Sequence, residues 1–378
     1  MKIVVTGGGG LLGWHAAARI HARNAAARFR GEVEPFELVV LNRAGFSDAA
    51  RLREAVRGAA GVLHFAGVNR APDDELERGN PAIAEALLDA CRDVAEDPHI
   101  VYANSVHAGA DTPYGRSKRR AGGILAAGST RFTDLVLPHI FGERARPNYN
   151  NVTATFIDAV IRGESPEVNP DGVVELLHAG EAVEAAIAAV TDGVTGRLEP
   201  EARLVRVPDL LERIQTFHAG WQANIYPDLT DPFDLALFNS YRSALYPDGF
   251  PRPLKVNADA RGTLFEAVKG GCGGQTFLSW TEPGVSRGDH FHLRKVERFL
   301  VLEGEAVIRM RPVLGDDILE YRVSGDAPAA VDMPTLHTHS IENIGDRPLL
   351  TLFWSHELFD PDNPDTYADP VLGAREES

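Results

Sequence analysis

The sequence predicts a doubly wound α/β parallel sheet in residues 1–247, followed by an all-β domain in residues 253–372. Three observations carry this. Short apolar runs alternate with helical stretches through the first half. The stretch "YPDGFPRPLK" at 246–255 then interrupts with three prolines and a glycine. Beyond it, strand-like runs follow one another between Gly, Asp and Pro turns, the spacing of a barrel or sandwich.

In order, "KIVVTG" reads as a strand and "LLGWHAAARIHARNAAA" as a helix. "ELVVLNR" and "DAARLREAVRGA" repeat the pair, as do "GVLHFAG" and "NPAIAEALLDACRDVAE". "HIVYANS" and "TDLVLPHIFG" are strands with a helix between them. Such alternation argues for a parallel sheet covered on both faces. "NVTATFIDAVIRG" and "DLLERIQTFHAGWQ" read as further helices. "ERFLVLEG", "AVIRMRPV" and "LLTLFWSH" are the clearest strands of the second part.

The 378 residues are 44% hydrophobic and 24% charged, and no apolar run reaches the roughly 20 residues of a membrane span. A net charge of −16 argues against nucleic acid as a partner, which needs a basic surface. It leaves room for an anionic small ligand held by local arginines or helix N-termini. Two cysteines, Cys91 and Cys272, make no disulfide framework. "MKIVVTG" reads as a strand and not a signal peptide, so the expected location is the cytoplasm.

"TGGGGLLG" places Gly7, Gly10 and Gly13 between a strand and a helix, with Leu11 and Leu12 opening the helix. Glycines let the backbone approach a pyrophosphate, and the helix N-terminus faces its charge. A site for NAD usually ends its second strand on an acidic residue. Here Asn42 and Arg43 stand there, and an arginine suits the 2′-phosphate of NADP(H). The alternative is a solvated surface arginine. Tyr114 and Lys118 lie one helical turn apart in YxxxK, and Ser105 ends the preceding strand. A nearby ammonium is expected to lower the phenol's pKa, letting Tyr114 exchange a proton with a carbonyl oxygen that Ser105 hydrogen-bonds.

These residues and "HFAGVN" resemble the extended short-chain dehydrogenase/reductase superfamily, whose Rossmann-type members act on nucleotide sugars. The resemblance implies that His64, Ala66 and Gly67 lie against the cofactor. A packed strand histidine is the equal alternative for His64. Asn69 and the loop "FGERARPNYNN", with Arg144, Arg146, Asn148 and Asn150, would then face the diphosphate, base or sugar of the substrate.

His290 and His292 are two apart, so in a strand they face the same way, and Glu297 returns on the next. The run from Gly284 to Gly304 fits G-x5-H-x-H-x4-E-x6-G and resembles the first cupin motif. "MPTLHTHSIEN" resembles the second, with His339 and Asn343. The resemblance implies a cupin barrel with a divalent metal on His290, His292, Glu297 and His339. Zinc is the first choice, with iron, nickel and manganese open. The motif's usual glycine is Leu336, which puts the turn geometry in question. His337 beside it is a candidate acid–base group.

A reductase followed by a cupin is a narrow combination. With "RPNYNNVTATF" and the tail "ELFDPDNPDTY", the chain resembles the bifunctional capsular-polysaccharide enzymes of the UDP-N-acetyl-L-fucosamine pathway. That family implies C3 epimerisation of a UDP-2-acetamido-2,6-dideoxy-4-ketohexose in the cupin. NADPH reduction of its C4 ketone follows in the first domain, giving UDP-N-acetyl-6-deoxy-L-talosamine. It also implies a homodimer through the cupin, with no nucleic acid or membrane partner. The alternatives are another 4-keto nucleotide sugar, a non-catalytic dimerising or ligand-sensing cupin, or an iron-dependent oxygenase.

Overall fold

The computed structural model describes residues 1–260, 262–271 and 273–373. The chain forms two compact units that interleave in sequence. One comprises Met1–Gly142 and Asp171–Arg206, the other Glu143–Pro170 and Val207–Ser378. A single cut near residue 250 does not describe this.

The first unit is built on a six-stranded sheet in which every neighbouring pair is parallel. Its spatial order is Glu37–Leu41, Lys2–Thr6, Gly61–His64, His99–Ser105, Phe132–Leu137, Gly196–Leu198. Alternate residues of the strand Lys2–Thr6 enter different cores, as a two-residue period requires. Ile3 and Val5 join one cluster with Ile20, Leu63, Val183 and Ile187. Val4 joins the other with Leu52, Val62, Leu87 and Leu125. Helices Leu11–Phe29 and Ala179–Asp192 cover the first face. Helices Ala49–Val56, Asp73–Asp93 and Pro113–Gly128 cover the second. The second strand in sequence lies to one side of the first and the third to the other. The sheet therefore reverses at Lys2–Thr6 and Gly61–His64, and ligands of such sheets bind beyond the carboxyl ends at that point.

The second unit carries helices Val152–Ile161, Val207–Gln222 and Pro232–Leu245 and two five-stranded antiparallel sheets. The sheets share one core. Phe299, Val331 and Phe353 come from one, and Ile308, Met310 and Ile341 from the other. The helices expected to belong to the nucleotide-binding half are tied here instead. Asn239 Nδ2 donates to the Arg294 carbonyl at 2.8 Å, and Arg242 to that of Met333 at 2.6 Å. Tyr226 stacks on Trp354 with centroids 4.4 Å apart. Among the described residues no helix is long and apolar enough to cross a membrane. Cys91 is a buried free thiol, and Cys272 lies outside the described residues.

Candidate functional site

The glycine loop follows the strand Lys2–Thr6 at the reversal point. Gly7 has φ +72°, and a Cβ there would lie 2.8 Å from the backbone of Phe65 and Ala66. A Cβ on Gly13 would lie 2.2 Å from the Gly7 carbonyl oxygen. Two of the three glycines are thus required by close backbone approach. Gly10 N–H closes the turn on the Gly7 carbonyl at 2.8 Å, and Gly8 N–H reaches that of Leu41 at 3.0 Å. Leu11 and Leu12 open the helix, and Leu12 packs on the core.

Asn42 is the N-cap of the short helix Arg43–Ser47, its side chain accepting from Gly45 N–H at 2.9 Å. Arg43 follows it, exposed beside the loop. His64 is buried. Its Nδ1 lies 3.0 Å from Thr6 Oγ1, and its ring packs between Phe46 and Tyr102. Burial, then the charge of Lys118, lowers its pKa to about 3, so it is a neutral packed histidine. Thr6 Oγ1 also accepts from Ala66 N–H at 3.1 Å. A Cβ on Gly67 would meet Asn80 Oδ1 at 2.9 Å. Asn80 clamps this loop. It accepts from Val68 N–H at 2.8 Å and donates to the Val68 carbonyl and to Ser117 Oγ, both at 2.9 Å. Asn69 is exposed just beyond the clamp. Nothing in the sequence marks Asn80, an asparagine inside a helix, as the holder of this loop.

Thr112 caps the helix Pro113–Gly128, accepting from Gly115 N–H at 3.0 Å, with Pro113 at the first position where its missing N–H costs nothing. The cap sets Tyr114 in the first turn. Its hydroxyl faces the Ser105 side chain, whose Oγ accepts from His107 N–H at 3.2 Å. Ser105 is in turn set by Asn104, whose Oδ1 accepts from Ser105 N–H at 2.9 Å and whose amide donates to Asp134 at 2.8 Å. The expected charge effect takes another form. Burial raises the Tyr114 pKa, and the Ser105 side chain opposes the rise. Lys118 is directed instead at the Ala103 carbonyl and lies 4.2 Å from the Tyr102 ring centroid. Burial pushes its own pKa down to about 7, against the pull of Asp134.

In the second unit, Arg144, Asn148 and Asn150 have φ of 67°, 57° and 51°, so the loop holds three side chains on left-handed backbone. These residues and Arg146 are exposed.

His290, His292, Glu297 and His339 converge, with one ligand atom from each within 4.8 Å of the others. His292 Nε2 lies 2.9 Å from Glu297 Oε2, and His339 Nε2 3.7 Å from it. His292 Nδ1 is bonded to the Asp365 carbonyl and His339 Nδ1 to that of His337. Both Nδ1 atoms must therefore be donors, which turns each Nε2 lone pair inward. His339 Nε2 is buried without a hydrogen-bond partner. Three inward imidazoles, one carboxylate and an orphaned nitrogen fit a divalent cation.

The tail has a task the sequence reading did not give it. The Asp365 carboxylate accepts from Leu293, Arg294 and Lys295 N–H at 3.0, 2.9 and 2.7 Å. It fixes the loop between His292 and Glu297. Leu336, in place of the motif's glycine, takes φ +60° all the same. It is 1% exposed, donates to the His292 carbonyl at 2.8 Å and accepts from Val313 N–H at 3.0 Å. The left-handed turn is held by burial and two backbone bonds. His337 stands apart from the four ligands. Its Nδ1 meets the Thr335 carbonyl at 2.9 Å and its ring lies 4.4 Å from that of Tyr246. Burial above all lowers its pKa to about 4.

Residues 3–199 match the NAD dependent epimerase/dehydratase family, and 257–367 the polysaccharide biosynthesis C-terminal domain. The chain is 31% identical over 382 residues to a UDP-2-acetamido-2,6-beta-L-arabino-hexul-4-ose reductase of Pseudomonas aeruginosa, covering 98% of this chain and 99% of that protein. It is also similar to the capsular polysaccharide assembling protein CapF of Staphylococcus aureus. That crystal structure shares 29% identity at a TM-score of 0.58, over 98% of this chain and 100% of the other. A second structure of CapF, with 3-isopropenyl-tropolone, gives 28% and 0.54.

Proposed function

The chain belongs to the NAD dependent epimerase/dehydratase family of nucleotide-sugar enzymes, in its capsular-polysaccharide epimerase/reductase branch, and from that membership we propose two linked reactions on one UDP-sugar. The substrate is a UDP-2-acetamido-2,6-dideoxy-4-ketohexose. The antiparallel domain, read as a cupin, epimerises C3. The parallel-sheet domain reduces the C4 ketone to give UDP-N-acetyl-6-deoxy-L-talosamine. The observation that carries this is the pairing of a Ser105–Tyr114 proton donor with a four-ligand cluster in the same chain. The length-wide likeness to a reductase of that 4-ketosugar supports the choice of substrate.

Bound NADPH supplies the hydride. The glycine loop and the N-terminus of helix Leu11–Phe29 take the pyrophosphate, and Arg43 the 2′-phosphate. Tyr114 gives the proton to the C4 oxygen, which Ser105 holds by a second hydrogen bond. Arg144, Arg146, Asn148 and Asn150, in the second unit, are assigned to binding the nucleotide sugar. In the β domain, His290, His292, Glu297 and His339 hold the divalent metal, zinc first, which when bound supplies Lewis-acid polarisation of the ketone. The C3 proton is acidic because the adjacent ketone delocalises the carbanion. Reduction destroys that ketone and traps the inverted centre. Two copies pair through the β domain, so the full chain should sediment as a dimer.

The test supplies UDP- and dTDP-linked 4-ketosugars with NADPH and follows its oxidation, and in parallel follows solvent deuterium entering C3 without NADPH. Oxidation with the UDP-2-acetamido sugar and exchange at C3 support the reading. Exchange that never occurs in metal-loaded enzyme removes the epimerase half.

A further inference from the structure

The strand Ser286–Phe291 pairs with His337–Asn343, and the pairing slips by one residue. Arg287 lies opposite Ile341, Gly288 opposite Ser340, and His290 opposite His339. Asp289 is the extra residue, with φ +55°. In a regular strand, positions 287 and 290 point to opposite faces. The bulge changes that parity, as bulges do when they re-aim a side chain. Ile341 and His339 are two apart on the partner strand and both face inward, one in the core and one in the ligand cluster. Their cross-strand partners, Arg287 and His290, therefore share the inward face.

The bulge is built, not incidental. Gly288 has φ +104°, and a Cβ there would sit 2.7 Å from the His339 carbonyl oxygen. The Asp289 side chain accepts from Val371 N–H at 3.0 Å, and its carbonyl from Asp369 N–H at 2.8 Å. The Arg287 side chain, itself exposed, lies at the wall of an open cleft of about 510 Å³ that also contains His290 and Glu297. Among the described lining residues, aromatic and aliphatic walls such as Phe277, Trp280 and Phe353 surround it, and Arg287 is the only permanent cation. Arg287 Nε donates to Thr281 Oγ1 at 2.9 Å, and an Nη to the Trp280 carbonyl at 3.5 Å. No carboxylate pairs with it among the described residues. A tethered guanidinium with donors to spare, beside apolar walls, is the group type that recognises a phosphate.

We propose that Arg287 is the anchor for the diphosphate of a nucleoside-diphosphate-linked ligand in the metal-site cavity. This rests on the reading that the cavity takes the nucleotide sugar. The anchor sets the sugar's distance from the ligand cluster by holding the diphosphate three residues before His290.

The probe is UDP, and the readout is amide hydrogen exchange of the full chain. UDP should slow exchange across Gln275–Phe291 in the native protein, and uridine, lacking the diphosphate, should not. Arg287→Met should raise the UDP concentration for half-protection of this segment about tenfold, with Arg287→Lys between. Exchange across the helix Val207–Gln222, which no proposed site uses, should be unchanged and reports that the variant is folded. Unaltered protection of 275–291 in Arg287→Met, or none in the native protein, overturns the proposal. Deuterium incorporation at C3 of the ketosugar is read separately. Protection without it leaves the anchor standing and removes the epimerase reading instead.

Discussion

Tyr114→Phe separates the two proposed chemistries. The ring keeps its packing, and the change deletes one hydroxyl and at most one hydrogen bond, to Ser105. One such bond contributes about 0.5–1.5 kcal/mol net, small against a total stability of roughly 5–15 kcal/mol, so the variant folds. The catalytic cost is larger. A lost general acid costs at least ~100-fold in rate, or about 2.7 kcal/mol of barrier. Two neighbouring groups do not substitute for it. The Lys118 ammonium points at the Ala103 carbonyl, and the Tyr102 phenol is buried with its pKa pushed up by burial first. NADPH oxidation with the ketosugar should therefore fall at least ~100-fold. Deuterium entry at C3, followed by NMR without NADPH, should persist. His290→Ala should do the reverse, with exchange collapsing while a substrate already inverted at C3 is still reduced. Circular dichroism accompanies both, because loss of a bound metal can unfold its domain. Loss of exchange in folded Tyr114→Phe would refute the two-site reasoning and assign both steps to the parallel-sheet domain.

Arg43→Ala should weaken NADPH binding about tenfold and leave NADH unchanged, as a lost charge-assisted bond to a phosphate requires; titration of both cofactors checks it. Lys118 carries a pH signature. Its folded pKa of about 7 lies below the ordinary 10.5, so between those values the unfolded chain holds the extra proton and stability rises with pH. In Lys118→Met this rise, on the order of a few kcal/mol for a buried amine, should flatten in denaturation curves of ligand-free protein. Leu336→Gly restores the motif's glycine yet should destabilise. Relief of left-handed strain is worth about 1–2 kcal/mol, whereas removing a buried leucine side chain costs about 2–5 kcal/mol. Asp365→Ala frees three N–H groups of the ligand loop and should weaken metal binding about 10–100-fold, read by competition with a chelator.

Local chemistry was legible in the sequence wherever a residue type has few uses. Gly7 and Gly13 follow from backbone approach that no side chain permits. Thr112 and Pro113 start a helix, so the spacing of Tyr114 and Lys118 carries meaning. Histidines two apart with a following glutamate converge on one cluster, although His292 lies just past the end of the strand Ser286–Phe291 and is held by Asp365. Partners distant in sequence were decided only by the tertiary structure. Asn80 holds a loop twelve residues before it, and Asp365 a loop some seventy before it. Burial, not spacing, made His64 a neutral core residue and raised the Tyr114 phenol. The left-handed turn at Leu336 looked forbidden by its side chain, yet two backbone bonds and complete burial outweigh the strain. The bulge at Asp289 is the sharpest case. One unpaired residue reverses the facing of Arg287, and only the register against His337–Asn343 reveals it. Periodicity fixes facing within an unbroken strand. Where pairing slips, the partner strand decides.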